Sequence, residues 1–147
     1  MKKFSVEIIT MGGDTYEREC FANTQEEAAK QFRCKTEDVL SCHEIKQIFW
    51  FSRNEMSKEM LQALYRVYGF CDVCHISKKV NSAHDFKADI DSASVIAIDS
   101  LSLDLQNQFL ELAGNKQVIA PVYQNNRFLK WEWLIKLEMI KVDLYRG

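Results

Sequence analysis

From Ile48 onward the chain alternates short apolar runs with segments of helical period, and this alternation limits the fold more than any other feature. Residues 47–52, Gln-Ile-Phe-Trp-Phe-Ser, form a continuous apolar run, the pattern of a strand buried on both faces. Between Ser57 and Tyr68, an apolar stripe of Met60, Leu61, Leu64, Tyr65 and Tyr68 predicts a helix, with Gly69 as its stop. Strands are then expected over 71–76, 94–98 and 117–122, and helices over 82–91 and 103–113, with Gly114 closing the last. Ser82 with Asp85 resembles a capping box in which Asp replaces Glu. Such alternation with short connections predicts a parallel sheet joined by right-handed crossovers. Asn125-Asn126 reads as a turn. Residues 127–133 read equally as a strand or a helix start, and 134–145 carry both periods, as a hairpin or helix extension would.

The first 46 residues follow a different plan. Phe4, Val6 and Ile8 alternate along residues 3–10, and Gly12-Gly13-Asp14 supplies hairpin turn chemistry. A second strand over 15–22 places Tyr16, Arg18, Cys20 and Ala22 on one face. Thr24 with Glu27 forms a capping box that opens a helix through Ala28, Ala29 and Phe32. A third strand is expected over 39–45. This β-β-α-β unit would be marginal alone, so it must pack on something. The expected domains are therefore 1–46 and 47–147.

The chain has 147 residues, 47% of them hydrophobic and 27% charged, values of an ordinary globular protein rather than a disordered or coiled-coil one. A net charge of −2 argues against a broad electrostatic nucleic-acid binder. No stretch approaches the ~18 apolar residues of a membrane span. The opening MKKFSV is broken by Glu7 before it could serve as an export signal, so a cytoplasmic location is expected and no membrane association. Five cysteines, an odd number, are expected to be reduced.

Two motifs invite a cofactor. Cys71-Asp72-Val73-Cys74-His75 spells the C-x-x-C-H of covalent haem attachment, but it lies within an expected strand that points Cys71 and Cys74 to opposite faces. The same face argument, with Cys34 ending a helix and Cys42-His43 in a strand, counts against zinc. No Ser-His-Asp set, Walker loop, G-x-G-x-x-G, H-E-x-x-H or EF-hand pattern occurs. No cofactor and no metal are expected, no catalytic residue is assigned, and small buried hydrophobes are the simplest reading of the cysteines.

Ligands of open parallel sheets bind beyond the carboxyl ends of the strands. Four loops would share that edge and bring Ser52, Arg53, Asn54, Lys78, Lys79, Asp99, Ser100 and Arg127 into one neighbourhood. Oriented N–H groups at two helix starts would join them, a setting for phosphate, another anion or a nucleotide. Arg53 stands out, because a guanidinium fork suits phosphate or carboxylate. Trp131 and Trp133 are candidate anchors for a protein partner.

Residues 2–46, through KKFSVEII and TYERECFANTQEEAAKQF, resemble the short β-β-α-β modules of DpnD/PcfM-type proteins of phages and conjugative elements. Residues 48–122, through IFWFSRNEMSKEMLQALYRVYG, KKVNSA, ASVIAI and LDLQNQFLELAGNKQVIAPV, are similar to uncharacterised small Rossmann-like proteins of such elements. Their element order is also similar to the CRISPR-associated Rossmann fold, which binds cyclic oligonucleotides. The expected fold class is thus α/β, a small Rossmann-like parallel sheet flanked by helices with an N-terminal β-β-α-β unit. The resemblances imply a phage or mobile-element setting and no particular reaction. The leading functional reading is a non-catalytic binding protein that engages a host-defence or nucleic-acid-processing protein, for example as an anti-CRISPR-like inhibitor. The alternative is a nucleotide or cyclic-oligonucleotide binding or cleaving protein using the carboxyl edge. A third reading is a homodimeric subunit joined through a sheet edge or the tail.

Overall fold

A computed structural model describes residues 1–99 and 101–135. The elements in chain order are β1 (Lys2–Thr10), β2 (Thr15–Ala22), α1 (Gln25–Lys30), β3 (Glu37–Phe51), α2 (Lys58–Tyr68), β4 (Cys71–Ile76), a 3-10 turn (Ala83–Phe86), α3 (Lys87–Ser92), β5 (Val95–Ile98), α4 (Leu103–Ala113), β6 (Gln117–Gln124) and β7 (Arg127–Trp133). The chain divides into two compact units, Met1–Lys46 with Gly69–Asp72, and Gln47–Tyr68 with the chain from Val73 onward.

In the first unit β1 lies between β2 and β3 and is antiparallel to both. Gly13, at φ +86°, turns the β1–β2 hairpin, and Thr10 N–H donates to the Asp14 carbonyl at 2.8 Å. Alternation then does the expected work, since Phe4, Val6 and Ile8 are buried with Ala22, Ala28 and Cys42. Thr24 Oγ1 accepts from Glu27 N–H at 3.2 Å and opens α1. The Glu27 carboxylate returns to Asn23 N–H at 3.1 Å, one residue earlier than in a standard capping box.

In the second unit the strands run in the order β3, β5, β6, β7. The end of β3 is parallel to β5 (Ile48 opposite Val95), β5 is parallel to β6, and β7 returns antiparallel to β6. β4 pairs with β3. All four residues of β5 are buried. One core joins Phe51, Ile90, Ile96, Ile98, Phe109 and Val118, with the Phe51 and Phe109 rings 4.8 Å apart. Trp50 is buried too, and its ring meets Trp131 edge-on at 5.6 Å.

This corrects the expected fold class. Strand makes up 43% of the described residues and helix 28%, in a mixed sheet rather than a helix-flanked, Rossmann-like parallel one. Three local causes account for the difference. No turn residue separates the strand expected over 39–45 from that over 47–52, and Glu37–Phe51 forms one 15-residue strand. Its first part is antiparallel to β1 and its last part parallel to β5. The helix expected over 82–91 is divided into a 3-10 turn and the six residues of α3. Residues 127–133 form a strand because Asn125 (φ 53°) and Asn126 (φ 62°) adopt the left-handed pair of a two-residue hairpin turn. The ambiguous segment 134–145 falls, from residue 136, outside the described residues.

Candidate functional site

All features of the site belong to the second unit. Loop 52–55 leaves the end of β3 and is held by its own backbone. Ser52 N–H donates to the Ile76 carbonyl at 3.3 Å, and Ser52 Oγ accepts from Asn54 N–H at 3.1 Å. The buried Trp50 donates from Nε1 to the Asn54 carbonyl at 2.9 Å. His75 Nε2 lies 2.7 Å from the Ser52 carbonyl, a pair that requires the ring nitrogen to carry the proton. The Arg53 side chain is exposed on this pinned loop.

Lys78 and Lys79 are exposed in the loop after β4. The far end of that loop is tied to α4, where Gln108 Oε1 accepts from Ala83 N–H at 3.0 Å and from Ser82 Oγ at 3.3 Å. Ser102 caps α4 by accepting from Leu105 N–H at 3.3 Å. Asp99 follows β5, with its N–H donating to the Phe51 carbonyl at 3.3 Å. Its carboxylate accepts from Tyr123 Oη at 3.1 Å. Burial, then the charge and hydrogen bond of Asp99, push the Tyr123 hydroxyl up to about 12, so it remains a donor at neutral pH.

These loops surround a cavity of about 320 Å³. Ser52, Arg53, Asn54, Lys78, Lys79 and Asp99 all line it, with Ser102 at the start of α4. Phe51, Val80, Leu101 and Leu105 supply apolar lining. Three cations thus face one carboxylate, which is already engaged by Tyr123. The arrangement suits a small anion-bearing ligand.

The remaining sequence-assigned residues fall elsewhere. Arg127 lines a different cavity of about 550 Å³, together with Glu55, Tyr123 and Phe128. Ser100 lies outside the described residues. Trp131 is half-buried and acts as an internal strut, donating from Nε1 to the Met60 carbonyl of α2 at 3.0 Å. Trp133 is 62% exposed. The C-x-x-C-H segment forms β4, and among the described residues no three His, Cys, Asp or Glu side chains group as a metal site. Nor is any helix among them long and apolar enough to cross a membrane.

Sequence reasoning missed three supporting residues. Tyr123 reaches Asp99 because β6 runs on to Gln124, past the end of its partner β5 at Ile98. His75, within the C-x-x-C-H segment, reads from sequence as a structural or surface residue, and Gln108 as one polar residue on a helix. No local signal marks either contact, since their partners are 23 and 25 residues away in sequence. No protein-family model, curated protein or solved structure matches the chain.

Proposed function

We propose that the second unit is a binding module for a small phosphate-bearing ligand, held at the ends of β3, β4 and β5. The observation that carries this reading is the convergence of Arg53, Lys78 and Lys79 on one cavity. The loop bearing Arg53 is already ordered by Trp50 and His75, so little conformational entropy is lost when the guanidinium engages an anion. Asp99 lines the same cavity and would repel phosphate, but three cations outnumber its one charge, and its carboxylate already accepts from Tyr123. Isothermal titration with ribose 5-phosphate tests the reading. Binding at low salt that weakens as salt rises supports it, and no heat at millimolar ligand sinks it.

A second reading, capture of a protein partner by a mobile-element protein, rests on the exposed apolar side chains of β7. Leu129 and Trp133 are more than half exposed there. In that case Trp133→Ala weakens capture of the partner while Arg53→Ala leaves it unchanged. The five cysteines are free thiols, which suits the reducing cytoplasm to which we assign the protein.

A further inference from the structure

The cavity that received Arg127 extends the proposed ligand. It takes about 550 Å³, and Glu55, Glu59, Tyr123, Arg127 and Phe128 line it. The two cavities have no lining residue in common, but their linings meet in two places. Loop 52–55 gives Ser52, Arg53 and Asn54 to one side and Glu55 to the other. Asp99 lines the first cavity, Tyr123 the second, and a 3.1 Å hydrogen bond joins them. The two cavities differ in chemistry. The first carries Arg53, Lys78 and Lys79, whereas the second carries two glutamates, one arginine and two aromatic rings.

We infer that the second cavity is the base-and-sugar compartment of a nucleotide whose phosphate sits at Arg53, Lys78 and Lys79. This inference rests on the phosphate reading above. A ligand spanning both cavities must be anionic at one end and must offer a flat ring and N–H or O–H donors at the other. A nucleoside phosphate has that polarity. Tyr123 and Phe128 provide ring faces on which a base stacks, and Glu55 and Glu59 accept from amino or hydroxyl groups. The opposite orientation sets phosphate against two carboxylates. The larger compartment also falls where the bulk of a nucleotide lies.

The test uses the full chain and compares ribose 5-phosphate with AMP, GMP, CMP and UMP by isothermal titration. At least one nucleotide is expected to bind about tenfold or more tightly than ribose 5-phosphate, the gain of one stacked base. Phe128→Ala should erase that gain and leave ribose 5-phosphate affinity unchanged. Phe128 also contacts Trp131, at 5.6 Å between rings, so Phe128→Leu, which keeps an apolar side chain against Trp131 and loses the flat ring, repeats the comparison if the first variant fails to fold. If ribose 5-phosphate binds and no nucleotide binds more tightly, the base compartment is wrong and the phosphate site stands. Retention of the nucleotide preference in a folded variant also overturns the base compartment. If neither ribose 5-phosphate nor any nucleotide binds, both readings fall.

Discussion

Replacing Arg53 by alanine isolates the anion-binding contribution from folding. Arg53 is exposed, on a loop whose order comes from Trp50, Ser52 and His75, so its removal should shift stability by no more than about 0.5 kcal/mol. The loss should appear in binding instead. A charge-assisted hydrogen bond is worth roughly 1.5–3 kcal/mol, and solvent around an exposed guanidinium keeps it near the lower end. The dissociation constant for ribose 5-phosphate should therefore rise about tenfold. Arg53→Lys keeps the charge and loses the planar fork, so its affinity should fall between the two. The salt dependence carries a separate signature. Fewer cations face the ligand in Arg53→Ala, so affinity should fall less steeply with ionic strength than in the wild type. Isothermal titration at two salt concentrations, with a thermal melt of each variant, reads all of this. Equal affinity in wild type and Arg53→Ala would refute the electrostatic reasoning. So would a loss of binding matched by a loss of stability.

Three further outcomes follow from the geometry of the second unit. The raised Tyr123 titration keeps its proton in the folded protein after an unfolded tyrosine has begun to lose its own, so its contribution is complete below pH ~10 and is lost as pH rises through about 12. Urea unfolding at pH 8, 10 and 11.5 should show a smaller alkaline decline in Tyr123→Phe than in wild type; equal declines would remove this assignment. Phe109 is fully buried against Phe51, and Phe109→Ala should cost about 3–5 kcal/mol in the same assay. Asn126→Val should cost about 1–2 kcal/mol because of its φ of 62°, whereas Asn126→Gly should be nearly neutral.

The first unit was legible because its signals are local. Phe4, Val6 and Ile8 mark a face, Gly13 turns the hairpin and Thr24 caps α1. β3 was misread as two strands because its environment changes along its length. Its first residues alternate between exposed and half-buried, while Ile48, Trp50 and Phe51 are fully covered. The sequence changes period there without any break in the backbone. β7 was ambiguous because Phe128, Leu129, Trp131 and Trp133 put apolar groups on both faces, which hides a period of two. The mixed sheet follows from these two elements, and both depend on long-range pairing. The grouping of Ser52, Lys78 and Asp99 at one edge needed only that β3 and β5 run parallel beside β4, which the strand–helix alternation implied. Arg127 belongs to the second cavity because it starts the antiparallel return of β7.

Backbone amide chemical shifts on titration with ribose 5-phosphate locate the bound anion. Saturable shifts are expected at Ser52–Asn54, Lys78–Val80 and Leu101–Ser102, the loops that enclose Arg53 and its neighbouring lysines. Saturable shifts centred elsewhere, or uniform small shifts that track ionic strength alone, would contradict this location.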